Sequence, residues 1–469
     1  MDKPRRLVAF SALGLWIAFA SGCKELEVRL PEIARPQGPL SLAATVDLAL
    51  RNSPDLLQAQ SRLERARVAV DLAVSDYWPV LQIIEGYTRA DKPSQAFGAI
   101  LDQRRFESSL DFNDPGATSN WRTGIGGSIT IYDGGRRRAR TRARRAEALA
   151  TEAALSVVRD DIAFETARAF FSVHQAREIQ RAAEKAVAAW EARERLADAR
   201  AAQGAARRED VLTARAAVAE ARGAIVTTRS AAESALAALR LLLALPQTDS
   251  VELVAPEESA LDPVPALASL LDLARGRRVE LVEAAARFEA ARARAQEAAA
   301  GYLPEITLFG SFGFDDRDPF DLNHANWSWG VGVIESLFDA IKAPHHVKRA
   351  LADLAAAAAA ARKAQIEVEH DVNEALLDVN GADARHAIAL EIVAHAQEAL
   401  RAAASRLDAG AATPTSVIEA ELKLVQARSW LQTVSWSRVL ARIALDHAIG
   451  RAAPRASVAK APANPRTSP

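Results

Sequence analysis

The chain repeats itself, and the repeat is long enough to set its architecture. Asp47-Leu48-Ala49 recurs as Asp272-Leu273-Ala274, and Tyr77-Trp78-Pro79 recurs as Tyr302-Leu303-Pro304, both at an offset of 225. Further along, the offset is 206. Ile131-Tyr132-Asp133 matches Leu337-Phe338-Asp339, Gly204-Ala205-Ala206 matches Gly410-Ala411-Ala412, and Val211-Leu212 matches Val417-Ile418. Each half reads helix, strand, strand, long helix, glycine turn, helix. The 19-residue drop in offset gives the first half a longer strand-to-strand loop, residues 90–120. Its turn formers are Pro93, Gly98, Asn113, Asp114, Pro115 and Gly116. The expected organisation is a first repeat over 42–245, a proline-marked linker over 246–265, and a second repeat over 266–450. A Pro-, Ala- and Arg-rich tail over 451–469 reads as disordered.

The N-terminus reads as a targeting segment. Lys3, Arg5 and Arg6 precede a largely apolar run over 7–20, too short for a comfortable membrane span. Ala20-Ser21-Gly22-Cys23 resembles a bacterial lipobox. Residues 1–22 would then be a signal peptide, Cys23 the lipidated (palmitate-bearing) first residue, and 23–41 the anchored segment. A plain signal peptide or an uncleaved anchor is the other reading. Cys23 is the single cysteine, so there is no disulfide framework. Lys24 fits the sorting pattern of outer-membrane lipoproteins.

The helices are unusually long. Residues 134–203 and 345–409 hold no proline, and at 1.5 Å per residue they would span roughly 105 and 100 Å. The shorter segments, 42–76 with 204–245 and 266–301 with 410–450, sum to about the same length in each half. Two short helices stacked end to end could therefore run beside one long one. Seven consecutive alanines at 355–361 suit close, coiled-coil-like packing in a tall antiparallel wall.

Four segments, near 80–89, 121–132, 304–314 and 327–337, break the helical pattern. Trp121, Thr123, Ile125, Ile129 and Ile131 alternate with Arg122, Gly124, Gly126, Ser128 and Thr130. Trp327, Trp329, Val331 and Val333 alternate with Ser328, Gly330 and Gly332. Period two, about ten residues and aromatics near the ends suit transmembrane strands. The first strand is poorer, because Glu85 interrupts it. Four strands cannot close a barrel, and an open edge is not tolerated in lipid. Copies must join: two would give eight strands and a filled interior, three would give twelve and a passage. The other reading is a pair of soluble hairpins capping a helical rod.

The chain resembles the TolC-type outer-membrane efflux protein family over about residues 40–450. The resemblance rests on the repeat, on Tyr132-Asp133-Gly134-Gly135-Arg136, on Arg406-Leu407-Asp408-Ala409-Gly410, and on the fainter Arg200-Ala201-Ala202-Gln203-Gly204. It implies a mainly α fold with a small transmembrane β part. Long antiparallel helices form an α-barrel, and four strands per chain enter a shared twelve-stranded trimeric β-barrel. It implies a homotrimer in outer-membrane lipid, reaching into the periplasm to meet an adaptor (membrane fusion) protein and an inner-membrane pump. The chain would be the passive exit duct of a tripartite efflux or secretion system. The alternative is a lipid-anchored periplasmic coiled-coil adaptor or scaffold without a pore.

The same resemblance assigns site residues. Asp133, Gly134 and Gly135 mark the barrel–helix junction, with Asp339 in the second half, where Asp339-Ala340-Ile341 departs from the Asp-Gly-Gly pattern. Arg200, Gly204, Arg406 and Gly410 mark the periplasmic tip turns that contact the adaptor. Asp210 and Glu419, with Ser416 and Thr213 at the corresponding positions, mark a tunnel-mouth ring that would favour cations. The bland reading of those acids is a solvated helix face. No catalytic motif or cofactor site is legible, and adjacent His345 and His346 diverge by about 100° on a helix, which suits no chelate. Net charge is −1, and the seven arginines of residues 136–145 lack aromatic interleaving, so nucleic acid is not expected as a partner. A basic collar near lipid headgroups, a lining of the upper tunnel, or a solvated helix start are the readings open for that run.

Overall fold

The computed structural model describes residues 31–204, 207–255, 263–319, 321–334, 337–409, 411 and 414–451. The targeting segment with Cys23, the tail from 452 onward, and Gly410 lie outside the described residues. In chain order the elements are α1 (Leu42–Asn52), α2 (Pro54–Ser75), β1 (Val80–Ala90), α3 (Pro93–Asp102), β2 (Thr118–Tyr132), α4 (Arg136–Ala202) and α5 (Arg208–Leu242). There follow α6 (Leu267–Arg277), α7 (Val279–Ala300), β3 (Glu305–Asp316), β4 (Ala325–Ile334), α8 (Leu337–Asp408) and α9 (Pro414–Ala448). The corresponding helices of the two halves match in length: 11 residues for α1 and α6, 22 for α2 and α7, 35 for α5 and α9.

Three departures from the sequence reading have local causes. The expected helices over 42–76 and 266–301 are each broken, at Ser53 and Arg278, which are again 225 apart. Ser53 precedes a proline, which disfavours the helical region, and it is extended with ψ 118°. Its hydroxyl then accepts from the Leu56 N–H at 3.2 Å and starts α2. Arg278 is extended as well (ψ 116°) and turns its guanidinium onto the Ala448 carbonyl and Asp371. Next, the long loop of the first half contains a helix, α3, with Pro93 at its start. Finally, α8 begins at Leu337, ahead of Pro344 rather than after it. One proline removes one rung of the ladder and need not end a 72-residue helix.

The chain divides into two units, Ala66–Ala148 with Phe288–Ala357, and Ile33–Arg65 with Leu149–Arg287 and Ala358 onward. The first holds an antiparallel sheet in the order β1-β2-β3-β4. Register sorts its side chains. Leu81, Gly127, Gly310 and Trp329 lie in one row, and Ile83, Ile125, Phe312 and Trp327 in another of the same face. The alternate row is Gln82, Gly126, Ser311 and Ser328. One face is therefore apolar and aromatic, the other small and polar. The apolar face is bare: Ile83 is 73% exposed and Trp327 72%. Phe309 breaks the alternation, and its ring lies over Gly330, where a Cβ would come within 2.8 Å of it.

α3 packs on the polar face. Gln103, fully buried, donates to the Ser119 carbonyl and the Asn120 side chain, each at 2.8 Å. Asn326 donates to the Asp102 carbonyl at 3.1 Å. Asp315, only 1% exposed, accepts from Asn120 at 2.8 Å and Asn326 at 3.0 Å. A buried carboxylate needs such donors, and this network supplies them.

The second unit carries two apolar cores. Ala49, Val173, Leu239 and Leu243 join α1, α4 and α5. Ala274, Val379, Leu445 and Ile449 join α6, α8 and the end of α9 at the same offsets of 225 and 206. The first core is closed by a parallel bridge between Leu40 and Leu253. No described helix is long and apolar enough to cross a membrane.

Close backbone approach in the sheet is testable. A Cβ at Gly124 would lie 2.6 Å from the Phe312 carbonyl oxygen, whereas one at Gly98 meets open space. Gly124→Ala should reduce the yield of folded, protease-resistant protein severalfold. Gly98→Ala should leave that yield unchanged.

Candidate functional site

The junction between β2 and α4 is built around one carboxylate. Asp133 Oδ1 accepts from the Gly135 N–H at 3.0 Å, and Oδ2 from the Arg137 N–H at 2.8 Å and its Nε at 3.0 Å. Asp133 thereby satisfies backbone donors that the helix start leaves open. Gly134 and Gly135 take φ of +69° and +87°, the left-handed region that glycine enters without strain. At Gly134 there is also no room, since a Cβ would sit 2.7 Å from Leu303. Arg137 reaches onward to the Thr130 carbonyl at 2.6 Å and the Asp76 carbonyl at 3.3 Å, and it lies over the Tyr77 ring at 4.9 Å. One ion pair thus ties β2, α4 and the end of α2 together.

Burial pushes the Asp133 carboxyl up, but the hydrogen bonds from Arg137 and Gly135 and the guanidinium charge outweigh it and hold the pKa below the usual range. Arg140 donates to Glu297 at 2.8 Å and Asp76 at 3.1 Å, and the Glu297 hydrogen bond leads in raising its pKa. Arg136, Arg140, Arg294, Lys342, His346 and Arg349 rim an open cleft of about 680 Å³, with Glu297 and Asp353 among them. In the second half, Asp339 falls in the first turn of α8. Its side chain lies outside the described residues.

The second candidate is the turn between α4 and α5. Gly204 has φ +71° and its N–H reaches the Ala201 carbonyl at 3.0 Å. The exposed Arg200 supplies a carbonyl to the Gln203 N–H at 3.2 Å. Below the turn the helices are zipped by Arg215 with Glu194 (3.4 Å) and Asp198 (3.2 Å), and by Arg222 with Glu191 (2.7 Å). Asp210 is 9% exposed, and its Oδ2 accepts from the Arg207 N–H at 3.0 Å. Within the single chain its carboxylate therefore caps α5, a role its third-residue position fits. Thr213 bonds the Glu209 carbonyl at 3.0 Å. On the other side, Glu419 is exposed on α9 and Ser416 is half-buried in its first turn. The Arg406 carbonyl accepts from the Ala411 N–H at 2.8 Å, and Arg193 pairs with Glu421 to join α4 to α9. The two predicted acids thus sit in different settings, one committed to a helix cap and one free to face solvent. Among the described residues, no group of three or more His, Cys, Asp or Glu is placed to hold a metal ion.

The model of the family described as outer membrane efflux protein matches residues 45–245 and 270–451. The chain belongs to the outer membrane efflux protein family. This efflux channel is similar to the pyoverdine export outer membrane protein OpmQ of Pseudomonas aeruginosa, 25% identical over 414 residues. That match covers 88% of this chain and 85% of OpmQ. Its fold matches the outer membrane protein VceC of Vibrio cholerae with a TM-score of 0.74 at 20% identity, over 88% of this chain and 97% of that one. It also matches the open state of the MtrE outer membrane channel of Neisseria gonorrhoeae, TM-score 0.74 at 18% identity, over 92% and 99%. The chain is an outer-membrane protein.

The junction carboxylate should report on pH. Because the folded pKa of Asp133 is depressed, its contribution is fully present above the unfolded carboxylate value near 3.8 and is lost as pH falls through the lower folded value. Asp133→Asn should cost about 2 kcal/mol at neutral pH. The variant should also lack the wild-type loss of stability on acidification below about pH 4, read by thermal melting in detergent across pH.

Proposed function

We propose that three copies of this chain form the passive exit duct of a tripartite efflux system. The carrying observation is a four-stranded sheet whose outer strands, β1 and β4, each pair on one side only, with a bare apolar face. In hydrocarbon each unpaired backbone group costs several kcal/mol, so β4 of one copy must pair with β1 of the next. Twelve strands leave a passage, which the glycines and serines of the polar face would line. α3, on that inner face, narrows its outer opening. The helical part carries the passage through the periplasm towards an adaptor protein, met at the turns of Arg200, Gly204, Arg406 and Gly410, and beyond it an inner-membrane pump. Cys23 carries the lipid. The match to a pyoverdine exporter supports efflux over a scaffold role.

At the tunnel mouth the exposed Glu419 is the charge that cations meet, while Asp210 holds the turn in shape. Native mass spectrometry of the purified protein should give three chains; a monomer defeats the proposal. In planar bilayers, a variant with Arg215→Gln and Arg222→Gln to loosen the tip should conduct ions with a preference for cations. Adding Glu419→Gln should lower that preference at least twofold. If the preference is unmoved, Glu419 is not at the mouth.

A further inference from the structure

Seven arginines crowd the first turns of α4; Arg137 is committed to Asp133, and the fold sorts the other six onto two flanks. Helical steps of 100° put Arg136, Arg140 and Arg144 on one side and Arg138, Arg142 and Arg145 on the other. The first flank lies on the polar side of the sheet, since Arg136 is 4.0 Å from Glu305, which takes a hydrogen bond from Thr130 of that face at 2.9 Å. It is also neutralised: Arg140 pairs with Glu297 and Asp76, and Arg144 pairs with Glu147 at 2.9 Å.

The second flank differs in both respects. Arg138, Arg142 and Arg145 are exposed, and none makes an ion pair with a described carboxylate; Arg142 reaches only the Gln296 amide oxygen, at 3.2 Å. With Val74, Tyr77 and Thr141 they line an open cleft of about 420 Å³. The chain then runs directly onto the apolar face. Trp78 is 73% exposed, and Pro79 borders a groove there with Leu81, Ile125 and Phe312. Three uncompensated guanidinium groups thus sit at the end of a bare apolar surface, beside an exposed Tyr and Trp of the kind that anchor at membrane interfaces.

We infer that Arg138, Arg142 and Arg145 bind the phosphates of anionic phospholipid headgroups at the periplasmic end of the membrane-spanning strands. The inference rests on the reading of the sheet as a barrel wall. Guanidinium matches phosphate with two parallel hydrogen bonds, and the positions i, i+4 and i+7 spread over roughly 10 Å, room for one or two headgroups. A soluble phosphate has the same chemistry but gains nothing from Trp78 and the apolar face. Bound lipid would fix the height of the barrel in the membrane, while the paired flank of the same helix stays committed to protein contacts.

The test is native mass spectrometry of the full-length protein in detergent, supplied with dioleoyl phosphatidylglycerol or dioleoyl phosphatidylcholine. Phosphatidylglycerol should be retained preferentially. Retention should fall roughly fivefold for each arginine removed along the series to Arg138→Gln, Arg142→Gln and Arg145→Gln. The corresponding triple lysine variant, which keeps the charge, should retain most of it, and Arg144→Gln should retain all of it. Equal retention of phosphatidylcholine, or undiminished retention in the triple glutamine variant, overturns the site. Displacement by inorganic phosphate alone would assign it to a soluble ion instead of a lipid and overturn it too. Failure of the barrel reading shows separately, as protease cleavage within β1–β4 of liposome-reconstituted protein.

Discussion

Backbone hydrogen bonding at the sheet edges is the constraint on which everything else depends. β1 and β4 each present a row of N–H and C=O groups that no other strand among the described residues pairs. In water such edges are an aggregation hazard; in hydrocarbon they are not tolerated. The apolar face, with Ile83, Trp327 and Trp329 bare, is the kind of surface that marks a membrane or protein interface. The proposed trimer, with lipid on one face and identical neighbours at both edges, would answer both needs at once. The polar side of that sheet carries glycines where strands approach, serines, and one phenylalanine laid over glycines, with α3 packed against it.

The transition from strand to helix is the next requirement. β2 must end, reverse its hydrogen-bonding habit and enter a helix within three residues. Asp133 meets the orphan donors, Gly134 and Gly135 take the left-handed turn, and Arg137 binds what remains. The charge density this places at the helix start is divided by helix geometry. One flank is absorbed by Glu297, Asp76 and Glu147 and rigidifies the junction. The opposite flank makes no ion pair among the described residues, where Arg142 reaches only the Gln296 amide oxygen. Charge patterning on a single helix thus gives one flank to protein packing and leaves the other exposed.

Beyond the strands, stability comes from small-residue packing. The buried positions of the second unit are mostly Ala, Val and Leu, repeated at the offsets of the two halves. Ion pairs such as Arg215 with Glu194 decorate the α4–α5 hairpin, but exposed pairs contribute little each. Zipping of this kind leaves only a few kcal/mol to be overcome in separating the two helices near their turn.

Periodicity, repeats and turn residues are local properties, so the sequence by itself determined the four strands, the two long helices, the apolar and polar faces of the strands and the glycine turns at Gly134 and Gly204. The breaks at Ser53 and Arg278 were half legible: Pro54 announces the first, but nothing local announces the second, which depends on Arg278 finding Ala448 and Asp371. α3 was hidden in a loop, because the partners that anchor it, Ser119 and Asn120 on Gln103 and Asn326 on Asp102, lie further along the chain and only the sheet brings them to it. The same holds for the sites. Asp133 could be read from its motif, whereas the cap made by Asp210 and the two-sided fate of the arginines were decided by which neighbours the tertiary structure placed against each helix face. A residue's type fixes what it can bond, and only the fold fixes what is within reach.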